Sequence, residues 1–405
     1  MVTAYLNTQS YYNVINNKPK LNILHIVQYD FETFKGGIQR YVKDLSELQK
    51  AKGHNVTVYS CSKTEGKEVV NGVIIKRFNY FEIFRTPISP SMIISLLKEK
   101  ERFDIIHIHA QFPIIAELTT LIAKLKNIPI VITYHNEAEL ASNSFFTKII
   151  YNIWKNTLLK MMLDLSNLII TTNEEFTITS RILNKKRYGK KIRIIPCGIV
   201  HINNHIKISN KYHQRDYLLY VGRIKKEKGL HIILEALSIL KKRNIDLDLI
   251  IVGEATRDDE LKYKNELEDL INRFDLTKNI RFVGSVSDYE LNDYYANALA
   301  LILPSINRLE GFGIVQLEAM RYGIPIIVSD IPGPRNVAKG LSVLFNPNNA
   351  VSLSNAILKV MDPIVRENIR KLSLEIIKEY DWNRLIDKIE RLYMDIINNR
   401  GRTNI

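Results

Sequence analysis

Short, nearly continuous runs of Ile, Val and Leu recur along this chain, separated by longer stretches whose apolar residues return every three or four positions. The runs 21–27, 55–59, 103–108, 130–133, 168–171 and 192–195 read as strands. They do not alternate apolar with polar residues, so both of their faces should be covered, as in parallel sheets flanked by helices. Between them, 38–52, 92–99 and 116–125 carry helical periodicity. The pattern then begins again. A second set of strands is expected at 217–221, 247–252, 280–283, 300–303, 326–328 and 342–345, alternating with helices at 230–243, 262–274, 315–322 and 350–360. A last amphipathic helix is expected at about 382–398.

Two successions of strand and helix predict an α/β protein with two doubly wound parallel sheets. We divide the chain into an extension at 1–20, a first Rossmann-like domain at 21–202, a polar linker at 203–216, a second Rossmann-like domain at 217–380, and a terminal helix at 381–405 that can cross back to the first domain. At 405 residues, two cores are expected rather than one. Two such domains facing each other place a cleft at the carboxyl ends of both sheets, where open α/β sheets bind ligands.

Composition narrows the function classes. Hydrophobic residues make up 46% and charged residues 25%, as in a globular protein. With only Cys61 and Cys197, neither a disulfide framework nor a four-ligand zinc pattern is available. The start lacks a basic and then apolar leader, and no run reaches about 18 apolar residues, so a cytoplasmic protein is expected. The net charge of +14 lies wholly in one half: residues 1–215 hold 30 Lys and Arg against 16 Asp and Glu, and the remainder holds 27 of each. A basic first domain suits an anionic membrane face or acceptor. No nucleic-acid-binding motif accompanies the charge.

The densest chemistry is the stretch Glu310-Gly311-Phe312-Gly313-Ile314-Val315-Gln316-Leu317-Glu318, which follows a strand and leads into a helix. Gly311 and Gly313 let the backbone approach a ligand closely, and the helix start offers free N–H groups. At about 1.5 Å per helical residue, Glu310 and Glu318 stand on the order of 10 Å apart. That spacing suits gripping two ends of one extended molecule. Taken singly, Glu310 could cap the helix and Glu318 could be a solvated carboxylate.

This stretch resembles the E-x7-E motif of the retaining glycosyltransferase family 4, whose members adopt the GT-B fold. Further segments carry the resemblance in the same order: Gly36-Gly37-Ile38-Gln39-Arg40 after the first strand, Asp104-Ile105-Ile106-His107-Ile108-His109, Thr133-Tyr134-His135-Asn136, and Val221-Gly222-Arg223 with Lys228-Gly229. It runs from about Leu21 to Val337. The resemblance implies that Arg223 and Lys228 hold the donor diphosphate, which suits a planar guanidinium and a mobile ammonium. It implies that Glu310 binds the donor sugar's hydroxyls and Glu318 the ribose, with Gly311, Phe312 and Gly313 presenting main-chain N–H groups. Gly36 and Gly37 would line the opposite wall, and His135 would help position the sugar. His107 and His109 read as structural, one facing each side of the sheet.

The activity so implied is retaining transfer of a sugar from a nucleotide-diphosphate donor to a glycan or lipid-linked acceptor, with no cofactor and no metal. Asp246-Leu247-Asp248 opens a strand, at the wrong end of the sheet for holding a cation beside a nucleotide. Two competing readings are a nucleotide-sugar epimerase of the same fold and a non-catalytic adaptor. The chain departs from the family in two places: a glutamate common near Asn336 is missing, and Cys197 stands where asparagine is usual.

Two basic features belong to the first domain. One is the run Lys185-Lys186-Arg187-Tyr188-Gly189-Lys190-Lys191-Ile192-Arg193. The other is the segment 145–168, helical in pattern, whose apolar face holds Phe145, Phe146, Ile149, Ile150, Ile153, Trp154, Leu158 and Leu159, with Lys148, Lys155 and Lys160 beside it. Such a helix either packs on a core or lies in a membrane interface. Peripheral association with an anionic membrane is the expectation.

Overall fold

The computed structural model describes residues 19–31, 36–83, 86–110, 113–137, 145–200 and 216–402. The linker expected at 203–216 and the extension at 1–20 fall almost wholly outside these residues.

The first sheet contains β1 (Asn22–Tyr29), β2 (Asn55–Cys61), β3 (Gly66–Val70), β4 (Val73–Phe78), β7 (Ile105–Ala110), β8 (Ile130–Tyr134), β9 (Leu168–Thr171) and β10 (Ile192–Ile194); β5 (Phe81–Ile83) and β6 (Thr86–Ile88) form a separate hairpin. The spatial order is β10-β9-β8-β7-β1-β2-β4-β3, and only the β3–β4 pair is antiparallel. Central strands are buried on both faces. Ile23 and Ile26 are 0% exposed, with Ile23 beside Val56 of β2 and Ile105 of β7. Burying each such side chain contributes roughly 1.5–3 kcal/mol, which is why the continuous Ile and Val runs settle here.

The second sheet contains β11 (Tyr217–Val221), β12 (Asp248–Val252), β13 (Ile280–Gly284), β14 (Ala300–Leu303), β15 (Ile326–Ser329) and β16 (Val343–Phe345), in the order β13-β12-β11-β14-β15-β16. All of its pairings are parallel. Strand order therefore reverses direction beside β1 in the first sheet and beside β11 in the second. These are the switch points at which doubly wound sheets leave a crevice for ligands.

The last helix, Trp382–Arg402, lies against the first domain. Trp382 is fully buried, and a Cβ on Gly198 would come within 2.5 Å of its ring, so Gly198 makes room for it. Lys52 pairs with Asp387, His54 Nε2 lies 3.3 Å from Glu390, and His107 Nδ1 lies 2.5 Å from the Tyr393 hydroxyl.

Two expectations need correction. The pattern at 145–168 is two helices, Phe145–Asn156 and Leu158–Leu165, broken at Thr157 (φ −113°, ψ −80°). Periodicity alone cannot see the break, because Leu158 and Leu159 continue the stripe. His107 and His109 do not face opposite sides of the sheet. Two residues apart on a strand they share a face, and their ring centroids are 4.3 Å apart. The hairpins of β3 to β6 and the helix Asp288–Ala296 were not anticipated, because half-exposed residues there dilute the apolar signal.

Candidate functional site

Several sequence-predicted residues gather around the ends of β11 and β14. Arg223 stands one residue beyond β11, after Gly222. A Cβ on the neighbouring Gly253 would lie 2.0 Å from the Gly222 carbonyl oxygen, so the loops after β11 and β12 touch backbone to backbone. Arg223 donates to Glu260 at 2.5 Å. Glu260 is 1% exposed and also accepts from the Thr256 backbone N–H at 2.9 Å. Sequence reasoning missed Glu260; a lone acidic residue in an acidic helix start carries no signal of its own.

Lys228 ends a short turn, Lys226–Lys228, closed by Gly229 in the left-handed region (φ +71°). A Cβ there would meet the Pro304 carbonyl oxygen at 2.1 Å, so the turn is pressed against the end of β14. Lys228 Nζ consequently reaches Glu310 Oε2 at 2.5 Å, and Ser305 donates to the same oxygen at 3.0 Å. Glu310 is thus engaged away from the helix start and does not serve as its cap.

Gly311, Phe312 and Gly313 form the bend into the helix Val315–Tyr322. Gln316 clamps this bend by donating to the carbonyls of Phe312 (2.9 Å) and Pro334 (3.1 Å). Gly313 needs its flexibility (φ +78°), and Phe312 is buried edge-on to Tyr380. The N–H groups that precede the first internal bonds of a helix have no partner within it, and here they lie at the cleft.

Glu318 is neither solvated nor free. It accepts from Tyr295 at 2.6 Å and lines a small interdomain cavity with Arg40, Asp288 and Tyr322. Burial raises its carboxyl above the ordinary range, opposed by the Tyr295 hydrogen bond and the Arg40 charge.

The first domain closes over this site. Gly37 faces Ile314, where a Cβ would stand 3.6 Å from Cδ1, and Gly36 begins the helix Gly37–Ala51. The carbonyl of His135 abuts Gly311 so closely that a Cβ on Gly311 would lie 1.9 Å from the oxygen. Asn136 donates to the Leu309 carbonyl at 2.9 Å and Asn173 to the Gly333 carbonyl at 2.9 Å. Arg308 pairs with Glu137 at 2.9 Å and Arg40 with Asp288 at 2.8 Å. Glu175 receives both Arg335 and, at 2.7 Å, Asn336. The position that lacks its expected glutamate is therefore met by one from the opposite domain. Cys197 is a buried free thiol, and burial raises its pKa.

Among the described residues, His25, His107 and His109 are the group whose side-chain nitrogens come together, within 4.8 Å of one another, in the manner of a metal site. Their nitrogens are engaged instead with one another, with His135, and with Gln49, Thr133 and Tyr393. Burial lowers His25 to about 4 and His135 to about 3, and holds His107 and His109 well below the ordinary imidazole range. Asp246 and Asp248 share the Asn279 amide at the amino end of β12, away from the cleft.

These imidazoles are neutral in the fold at pH 7 and take up protons on unfolding. A folded pKa below the unfolded 6.5 gives stability that is complete above pH 6.5 and is lost as pH falls towards 4. Calorimetry should show the melting temperature falling over that window. Each imidazole contributes a slope approaching about 1.4 kcal/mol per pH unit, and a His109→Gln variant should show a shallower fall. An equal slope in that variant would exclude the cluster as its source.

Comparison with known proteins bears on the whole assembly. Residues 35–201 match the family model described as Glycosyltransferase Family 4, and residues 201–371 match Glycosyl transferases group 1. The chain is 24% identical over 397 residues to a phosphatidyl-myo-inositol mannosyltransferase of Mycobacterium leprae, covering 94% of this chain and 98% of that one. It is 24% identical over 319 residues to the O-antigen chain mannosyltransferase C of Escherichia coli, covering 77% and 80%. The fold matches a sucrose-phosphate synthase from Thermosynechococcus elongatus with a TM-score of 0.73 at 20% identity, covering 94% and 100%. It also matches an Anabaena protein crystallised with UDP-glucose, with a TM-score of 0.71 at 18% identity, covering 93% and 100%.

Proposed function

This chain belongs to the GT-B glycosyltransferases of those two matched models, and on that premise we propose that it moves a sugar, with retained configuration, from a nucleoside-diphosphate sugar to a glycan or lipid-linked acceptor. The observation that carries the reading is the convergence of Arg223, Lys228 and Glu310 at the switch point of the second sheet, opposite Gly37 and His135. A structural neighbour that binds UDP-glucose supports the donor class, and relatives named as mannosyltransferases make mannose donors the first to test.

Two cations here stabilise the charge that grows on the departing diphosphate as the sugar–oxygen bond breaks, the work a metal does in other transferases. Arg223, paired with Glu260, supplies the guanidinium that meets phosphate oxygens. Lys228, bonded to Glu310 without donor, exchanges that carboxylate for phosphate and screens Glu310 from the diphosphate. Glu310 is then free to accept from sugar hydroxyls, and Glu318 to accept from the ribose. In same-face displacement the leaving phosphate takes the acceptor's proton, so no protein nucleophile is needed.

The proposal is tested by incubating the protein with donors and lipid extract in EDTA and reading the product's anomeric configuration by NMR. A product with the donor's configuration, formed undiminished in EDTA, supports it. An inverted product, an epimerised free donor, or dependence on added cation contradicts it.

Membrane association is part of the same proposal. The helix Phe145–Asn156 has no buried residue, and Phe146, Ile149, Ile150 and Ile153 form one exposed stripe with Lys148 nearby. Trp154 anchors the helix by donating to the buried Glu117 at 2.7 Å. The basic run joins it through the adjoining helix, where Arg187 pairs with Asp164. No helix of the described residues is long and apolar enough to cross a membrane. A surface-bound helix of this kind gains from buried apolar area and from anionic headgroups together. Co-sedimentation with anionic vesicles should be strong at low salt and should drop at least tenfold in a Phe146→Glu, Ile150→Glu variant. Absence of binding by the unaltered protein removes this part of the reading.

A further inference from the structure

His25, His107, His109 and His135 come from β1, β7 and the end of β8 and gather on one face of the first sheet. Three of them form a series. His135 Nε2 is 3.3 Å from His109 Nδ1, His109 Nε2 is 3.0 Å from His25 Nδ1, and His25 Nε2 is 2.7 Å from Gln49 Oε1. Stacked rings hold the geometry: His25 and His109 lie 28° from parallel, and His109 and His135 lie 25° from parallel.

A neutral imidazole has one N–H and one lone pair, so a ring that accepts at one nitrogen must donate from the other. A series of such rings therefore runs in one sense from end to end. Gln49 Oε1 only accepts. His25 must donate from Nε2, which makes its Nδ1 an acceptor. His109 must then donate from Nε2 and accept at Nδ1, and His135 must donate from Nε2.

We propose that Gln49, acting through His25 and His109, fixes His135 as the Nε2–H tautomer, so that Nδ1 is the ring's acceptor. Gln49, His25 and His109 are positioning residues: they set which nitrogen of the cleft histidine carries the proton and do not themselves meet the sugar. The low pKa values of these rings keep the series neutral and so preserve its sense. His107 stands outside the series, bonded to Thr133 at 2.6 Å and to Tyr393. Rotating the Gln49 amide would place its Nε2 against His25 and reverse every proton in the series. The amide is accordingly the element that chooses the sense. The consequence for the sugar, that Nδ1 accepts from a donor hydroxyl, rests on the donor-site reading above. The tautomer itself does not.

The test is long-range proton–nitrogen NMR of the full chain labelled with 15N-histidine, with His135 assigned by its loss in His135→Gln. The unaltered protein should show His135 protonated at Nε2 alone. Gln49→Glu, which still only accepts, should keep that tautomer, and Gln49→Met, which leaves His25 without an acceptor, should populate both. Donor hydrolysis should fall about tenfold in Gln49→Met and be kept in Gln49→Glu, as for partners that orient a working histidine. A proton on Nδ1 of His135 in the unaltered protein overturns the proposal. So does an unchanged single tautomer in folded Gln49→Met, or a tightly held metal ion that shifts His25, His107 and His109 together. If the tautomers behave as expected but turnover does not change, the failure lies in the donor-site reading instead.

Discussion

Turnover of the donor should fall about 10⁴–10⁶-fold when Arg223 and Lys228 are both replaced by alanine, since each cation aimed at a developing oxyanion accounts for roughly 10²–10³. Hydrolysis of the donor to the free nucleoside diphosphate measures this without an identified acceptor. Stability must be separated from chemistry. Arg223→Ala removes a partner from Glu260, a carboxylate 1% exposed. Stranding a buried charge costs about 3–5 kcal/mol when nothing else compensates. The cost here should be smaller, because Thr256 and Lys225, at 3.5 Å, remain beside Glu260. Adding Glu260→Gln should restore the melting temperature but not the turnover. Recovery of turnover in that triple variant would mean that the cations matter only to folding.

Gly311→Ala should also be damaging, for a different reason. The new methyl would stand 1.9 Å from the His135 carbonyl oxygen and 3.2 Å from the Asn136 Cα, both backbone atoms of the other domain. No side-chain rotation relieves such a clash, so the domains must part. The clusters within each domain alone are untouched, but one buried cluster runs across both domains, so the melting temperature should fall modestly. Parting separates His135 and Gly37 from Glu310, and misplacement by about 1 Å can cost on the order of 10²-fold in rate. Small-angle scattering should show a larger radius of gyration, and turnover should fall by about 10²-fold. A variant of unchanged radius and full activity would show that the close approach is not used in turnover.

The two sheets were legible in the sequence because parallel strands buried on both faces are written as unbroken Ile, Val and Leu, and the expected 217–221 and 300–303 coincide with β11 and β14. The antiparallel edge at β3 and β4 was not legible, since its half-exposed residues imitate loops. Glycines and charges at strand ends drew attention to Arg223, Lys228, Glu310 and Gly311, and the structure brings these residues to one cleft. Their partners were invisible for a common reason. Glu260, Ser305, Tyr295 and Glu175 act through contacts 5 to 160 residues distant in sequence, and periodicity carries no information at that range. The histidine series shows the same limit. His107 and His109 stood out by spacing, but His25 and Gln49 acquire meaning only when β1 and the helix Gly37–Ala51 lie beside them.

The central claim is that a nucleoside-diphosphate sugar binds between Arg223, Lys228 and Glu310. The most direct measurement is a thermal-shift titration with UDP-, GDP- and ADP-sugars, run in parallel on the Arg223→Ala, Lys228→Ala variant. The account predicts that one nucleotide family raises the melting temperature of the unaltered protein, and that this rise disappears in the variant. No rise with any donor at millimolar concentration, or an equal rise in the variant, would contradict it.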